Sequence, residues 1–252
     1  MYAVYLPDQT PYAEGRKHVQ EERSVVDRAM GVAERAGVPV SGTVRLTHDP
    51  ADAIVNTVEQ YDSDGVLMGQ GGRRSRRRDI AVGSTVDDVA TEADADVFVE
   101  NVGEGEDDVD SILLPWTGGN HAELAAETAA AIARTTGATI DVVHVVGSGD
   151  DRSGAEAVLA GAEERLAEQA AEFEDVDIEF RTRLVEGEDV EEALVEAADG
   201  HDVVVIAAEK EGILKRLVFG SIPESVGDRI DETSIMCKRN VGAPSRLKRL
   251  LT

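Results

Sequence analysis

The chain repeats itself. Asp64-Gly-Val-Leu-Met-Gly69 matches Asp202-Val-Val-Val-Ile-Ala207 at an offset of 138. Gly83-Ser84, Val89 and Asp94 match Gly220-Ser221, Val226 and Asp231 at an offset of 137. The one-residue difference is a single insertion in the loop between these blocks. Each copy reads strand, glycine-bearing loop, Gly-Ser, helix, strand. Self-similarity at a fixed offset marks a duplicated structural unit. Extended backward, the offset of 138 sets Met1 on Thr139, so the first copy has no counterpart of 111–138, a complete strand and helix. A sheet does not easily lose a strand from its middle, because neighbouring backbone groups lose their partners. The expectation is that the chain is a piece of a longer protein, or that another segment or chain fills the gap.

Short Val/Ile-rich runs alternate with longer Ala/Glu-rich stretches, the βα signature of a parallel sheet. The pattern predicts strands near 1–6, 40–46, 64–69 and 96–101, with helices near 14–36, 50–61 and 84–93. Strands follow near 111–115, 139–146, 177–185, 202–207 and 234–238, with helices near 120–136, 152–173, 189–199 and 222–230. Asn120, Asp150 and Asp189 are placed to cap helix starts, and Gly37 and Gly137 to end helices. The expected fold class is α/β, with parallel doubly wound sheets in two tandem repeats. The divisions are a truncated repeat at 1–102, an acidic linker at 103–110, a complete repeat at 111–241 and a basic tail at 242–252. The last strand of each repeat, Val97–Val102 and Ser234–Lys238, is expected to be a sheet edge. Packing of the repeats about a pseudo-twofold axis is expected, with a homodimer as a further association.

Charge narrows the function. Asp and Glu total 51 against 25 Lys and Arg, for a net charge of −26, and only five of the basic residues are Lys. Self-repulsion of that size is screened when molar salt shortens the Debye length to about 3 Å. The acidity therefore reads as adaptation to a saline, halophilic cytoplasm. It argues against nucleic-acid partners, whose phosphates are repelled. The one cysteine, Cys237, sits in an apolar stretch and reads as a small buried hydrophobe. No apolar run approaches the roughly 18 residues of a membrane span. A cytoplasmic location is expected, or the cytoplasmic face of a membrane for a transporter tail.

The most informative loop is Met68-Gly69-Gln-Gly71-Gly72-Arg73-Arg74-Ser-Arg-Arg-Arg-Asp-Ile-Ala-Val-Gly83-Ser84-Thr85. Its first glycines allow a backbone to approach a ligand closely. Gly83 and Ser84 are expected to place N–H groups and a hydroxyl at a helix N-terminus, which attracts anions. Arg73, Arg74, Arg76, Arg77 and Arg78 lie between, and guanidinium forks suit phosphate oxygens. A solvated arginine loop neutralised by neighbouring acids is the alternative, and contact with anionic lipid a third.

This arrangement resembles the nucleotide loop of the universal stress protein family, written Gly, two residues, Gly, nine residues, Gly, then Ser or Thr. Gly69, Gly72, Gly83 and Ser84 fit it with ten intervening residues instead of nine. The resemblance implies a five-stranded parallel sheet of the adenine nucleotide alpha hydrolase-like type, and many members bind ATP or AMP. It thus implies phosphate contacts from Gly69, Gly71, Gly72, Arg73, Arg74, Gly83, Ser84 and Thr85, with ATP or AMP as the ligand in the intact parent protein. In the second repeat Gly220 and Ser221 are kept, but Ala207 and Lys210 replace the glycines. The family's acidic adenine contact after the first strand is replaced by Thr117, followed by Gly118 and Gly119. That second site, made of Thr117, Gly118, Gly119, Gly220 and Ser221, is expected to be degenerate.

Pro115-Trp-Thr-Gly-Gly119 with Gly220-Ser-Ile-Pro-Glu224 also resembles the stress-protein domains appended to amino-acid permeases and cation antiporters. The expected function is regulatory: binding or sensing an adenine nucleotide and modulating a partner. The alternative is a regulatory or assembly domain of a transporter with a vestigial site. No catalytic residue is singled out. There is no Gly-x-Ser-x-Gly elbow around Ser84 or Ser221, no P-loop lysine and no metal-ligand spacing among the histidines, so no enzyme is expected.

Overall fold

The computed structural model describes residues 2–5, 12–70, 79–103, 108–171, 177–208 and 221–241. The first repeat contributes β1 (Tyr2–Tyr5), α1 (Tyr12–Arg35), β2 (Val44–Thr47), α2 (Pro50–Tyr61), β3 (Gly65–Gln70), α3 (Asp79–Glu92) and β4 (Asp96–Asn101). The second contributes β5 (Ser111–Pro115), α4 (Asn120–Thr136), β6 (Thr139–Val146), α5 (Arg152–Ala171), β7 (Phe180–Glu186), α6 (Val190–Ala198), β8 (Val203–Ala207), α7 (Ser221–Arg229) and β9 (Thr233–Lys238).

Seven strands form one sheet in the order β3-β4-β9-β8-β5-β6-β7, and β1 pairs β2 in a separate two-stranded sheet. All neighbours run parallel except β4 and β9. The last strand of each repeat, an edge of that repeat's own sheet, pairs with its counterpart and so becomes internal to the shared sheet. Val99 stands opposite Met236, its own counterpart at the repeat offset of 137, so a local dyad passes between these two residues. The outer strands of this sheet are β3 and β7.

Helices cover both faces. On one face α4 and α5 bury Leu124, Ala125, Ala126, Ala129, Leu159 and Leu166 against Ile112, Ile140, Val142, Val203 and Val205. The alanines of α4 let its backbone lie close to the sheet, which is how a chain poor in aromatics still fills its interior. On the other face Val86, Ala90, Leu194 and Val226 meet Val97, Val99, Leu113, Val204 and Met236. Ile112, Leu113 and Leu114 are fully buried on the central strand β5. Burying each such side chain contributes about 1.5–3 kcal/mol.

Local signals set several boundaries. Asp49 caps α2 by accepting from the Asp52 N–H at 3.1 Å, and Pro50 occupies its first turn. Asp189 caps α6, accepting from the Glu191 and Glu192 N–H groups at 3.0 and 3.2 Å. Gly137, at φ +81°, ends α4 with its N–H on the Ala133 carbonyl. Two expected caps fall elsewhere. Asn120 is the first residue of α4, whose cap is Gly119 with no side-chain bond. Asp150 instead closes a turn by accepting from the Gly147 N–H at 2.7 Å, and Asp151 accepts from the Ser153 N–H at 3.1 Å at the start of α5.

The segment joining the repeats is partly built into the fold. The Gly103 N–H donates to the Thr233 hydroxyl at 3.1 Å, and a Cβ at Gly103 would lie 2.2 Å from the Asp231 carbonyl oxygen. A residue with no side chain is needed for that close approach. Residues 104–107 and 242–252 of the expected linker and tail lie outside the described residues.

Candidate functional site at the strand carboxyl ends

Open parallel sheets bind ligands outside the carboxyl ends of strands, where successive connections turn in opposite directions. In the second repeat that reversal falls between β5 and β8. The chain runs from β5 outward to β6 and β7, then returns to β8 and β9. The loop after β5 contains Thr117, Gly118 and Gly119, and it opens directly into α4. Gly118 and Gly119 have φ of +74° and +88°, a region costly for residues with a Cβ. The two glycines thus turn the chain so that the α4 N-terminus lies at this crevice.

The floor is tied down. The Trp116 N–H donates to the Val143 carbonyl at 2.8 Å, and His144 Nδ1 lies 2.8 Å from the Trp116 carbonyl. A carbonyl only accepts, so this His144 nitrogen carries the proton. Thr117 is exposed beyond that point. His121, in the first turn of α4, uses Nδ1 to accept from the Arg239 N–H at 3.0 Å. Glu127 links Arg165 of α5 to Arg239 beyond β9, joining helix, helix and strand. Ser221 is the first residue of α7, while Gly220 lies outside the described residues. The Ala208 N–H, just past β8, donates to the Cys237 carbonyl at 2.8 Å.

In the first repeat Gly69 sits near the carboxyl end of β3 and is exposed, and among the described residues a Cβ built on it would meet nothing within 4 Å. Neither packing nor a positive φ demands glycine there. Gly71, Gly72, Arg73 and Arg74 lie outside the described residues. The α3 helix begins at Asp79, so Gly83 and Ser84 stand inside its first two turns instead of at its start. Asp79, Ile80, Ala81 and Val82 are acceptable in a helix, and one interior glycine costs only about 1 kcal/mol, so Gly83 does not stop it. Thr85 is half-buried on the same helix.

The most buried carboxylate belongs to the other end of the sheet. Asp141, near the start of β6, accepts from Arg183 Nε at 3.0 Å, with Arg181 Nε and His201 Nε2 each 3.4 Å away. Asp202, just before β8, accepts from the Asp110 N–H, the Ser111 N–H and the Ser111 hydroxyl at 2.9, 2.9 and 2.8 Å. Burial alone would raise its pKa, but these three donors outweigh it and the carboxyl is held below its ordinary value. Sequence patterning did not single out either group, since Asp is abundant throughout this chain. Burial pushes the Cys237 thiol up to about 12, so it has no nucleophilic character near neutrality. Among the described residues, no group of His, Cys, Asp and Glu is placed to hold a metal, and no helix is long and apolar enough to cross a membrane.

A duplicated α/β unit with glycine loops at its strand carboxyl ends defines a tandem protein of the doubly wound α/β class. Residues 1–99 and 109–232 match the universal stress protein family. The chain belongs to that family. A universal stress protein from Archaeoglobus fulgidus shares the fold at a TM-score of 0.66 and 19% identity, covering 95% of this chain and 84% of its own. A putative universal stress protein from Pseudomonas aeruginosa does so at 0.57 and 15%, covering 98% and 95%. A universal stress protein solved in complex with cAMP aligns with 51% of this chain and 96% of its own, at 21% identity and a TM-score of 0.42. No curated protein matches the sequence.

Proposed function

We propose that the chain is a regulatory module that binds an adenine nucleotide, ATP or AMP, and alters the state of a partner without turning the nucleotide over. The supporting observation is the exposed Gly69 near the carboxyl end of β3, with open space where a side chain would stand. A glycine that packing does not require, at the end of a sheet where such folds bind ligands, leaves its backbone accessible to a phosphate. The five arginines of the following loop concentrate positive charge suited to phosphate oxygens. In the second repeat Thr117, Gly118 and Gly119, after its first strand, form the other half of a degenerate crevice at the α4 N-terminus.

Titration calorimetry of the 252-residue chain with ATP and with AMP in molar KCl tests this reading. Binding is expected, and Gly69→Asp should weaken it by at least about tenfold, or about 1.4 kcal/mol, through its Cβ and charge. Absence of heat with both nucleotides, or affinity that Gly69→Asp leaves unchanged, would overturn it. Phosphate release from ATP above the buffer rate would overturn the assignment as a non-enzyme.

A further inference from the structure

At the repeat offset the first repeat has no counterpart of β5 and α4. At the repeat offset β1 and β2 correspond to β6 and β7, and β3 and β4 to β8 and β9. In the second repeat β5 lies between β6 and β8 and pairs both. In the first, no ladder joins β1 to β3 among the described residues, and among them β3 is a sheet edge.

The side chains around the gap match it. Leu67 in β3 is 64% exposed, whereas its counterpart Val205 in β8 is 0% exposed beneath α4. The counterpart of α1 is α5, which packs against α4. A charged anchor is also waiting. Asp202 clamps the start of β5 through the Asp110 and Ser111 N–H groups and the Ser111 hydroxyl. Its counterpart Asp64 is retained at the start of β3, and among the described residues nothing donates to its carboxylate.

We infer that this opening is a docking slot for a strand–turn–helix polypeptide segment of the Ser111–Thr136 type. Its apolar strand runs parallel to β3, with its first backbone N–H groups on the Asp64 carboxylate. Its alanine-rich helix covers Leu67, as α4 covers Val205. A second copy of the chain is a poor donor, because its own Ile112, Leu113 and Leu114 are fully buried in its sheet. The inference rests on the open edge and Asp64 and does not depend on nucleotide binding.

Two forms of one probe test it. The 252-residue chain is mixed with a synthetic peptide of residues 110–138 of its own sequence, and separately that segment is joined directly ahead of Met1. Hydrogen exchange of the Gly65–Gln70 amides, melting temperature and sedimentation are read. Slower exchange in β3, a higher melting temperature for the joined form and a one-to-one complex with the peptide are expected. Asp64→Ala should weaken peptide binding by about tenfold, the loss of hydrogen bonds to a charged group. It should leave the melting temperature of the unmodified chain unchanged, which separates docking from a general structural role. A joined segment that stays protease-sensitive with no gain in melting temperature would overturn the inference. So would protection of β3 in the chain alone that grows with concentration, the mark of β3 pairing with β3 of a second copy.

Discussion

Lys238 donates from Nζ to the Ala90 carbonyl at 2.7 Å, reaching from the last strand of the second repeat into α3 of the first. The reciprocal bond exists. Asn101, the counterpart of Lys238, donates from Nδ2 at 2.8 Å to the carbonyl of Gly227, the counterpart of Ala90. The two side chains differ in type and charge but perform the same operation across the dyad between Val99 and Met236. Each ends near the carboxyl terminus of a helix, where a donor also meets the negative pole of the dipole.

These ties hold the repeats together. Lys238→Met should cost about 1–2 kcal/mol, at the lower end of hydrogen bonds to charged groups, and Asn101→Ala about 1 kcal/mol. The pairs share no partner, so the double variant should lose close to the sum. Urea denaturation of the three variants measures this, and a double variant no worse than Lys238→Met would contradict independent ties.

Asp202 should impose a pH dependence on stability. Its carboxyl is held below the ordinary aspartate value by the Ser111 and Asp110 donors against the opposing pull of burial. A depressed acid contributes stability that is present above its unfolded pKa of about 3.9 and is lost as pH falls through the lower folded value. Comparing acid unfolding of the parent with Asp202→Ala should show a shallower loss below about pH 4 in the variant. Parallel curves for the two proteins would exclude this linkage.

Gly69 and Gly118 should respond differently to alanine. Gly118 sits at φ +74°, so Gly118→Ala should destabilise by about 1–2 kcal/mol. Gly69 has open space around it, so Gly69→Ala should change stability by less than about 0.5 kcal/mol. Thermal melts resolve the difference, and equal losses would show that φ at Gly118 is not what selects glycine.

Cys237 is buried, with its thiol pushed up to about 12 by burial. An aromatic disulfide reagent at pH 8 should leave the native chain unlabelled and label it fully in denaturant. Rapid native labelling would mean that β9 opens readily.

Salt should stabilise the fold. With a net charge of −26, raising KCl from 0.1 M to 1 M shortens the Debye length from about 10 Å to about 3 Å and removes most of the self-repulsion. The melting temperature should rise across that range, by more than in an equal concentration of an uncharged osmolyte such as sucrose. A flat profile would show that the acidic groups are too dispersed to repel one another.

Most strands were legible because Val and Ile runs bounded by glycine and aspartate have few other uses. The β8 strand, Val203-Val-Val-Ile-Ala207, and β5, Ser111-Ile-Leu-Leu-Pro115, fall within a residue of their expected positions. The start of α3 was not legible. Gly83-Ser84 looked like a helix entrance, yet the apolar residues before it extend the helix back to Asp79. The register of pairing was hidden. Nothing local in Val97–Asn101 announces that its partner lies antiparallel in the other copy, because register depends on residues far away in sequence. The same holds for Asp202, whose role comes from Asp110 and Ser111 some ninety residues earlier. For the candidate site, sequence placed Thr117, Gly118 and Gly119 directly after the first strand of the second repeat, and the structure added the positive φ that explains both glycines.

The antiparallel junction of β4 with β9 has a geometric corollary. Strands of the first repeat point one way across the shared sheet and those of the second point the other. Their carboxyl ends, and with them the Gly69 and Gly118 loops, therefore emerge at opposite rims of the molecule. No single small ligand can bridge the two loops, and a flat partner surface meets one rim at a time. Whatever each loop recognises, the duplicated chain presents it as a two-ended connector rather than as a clamp.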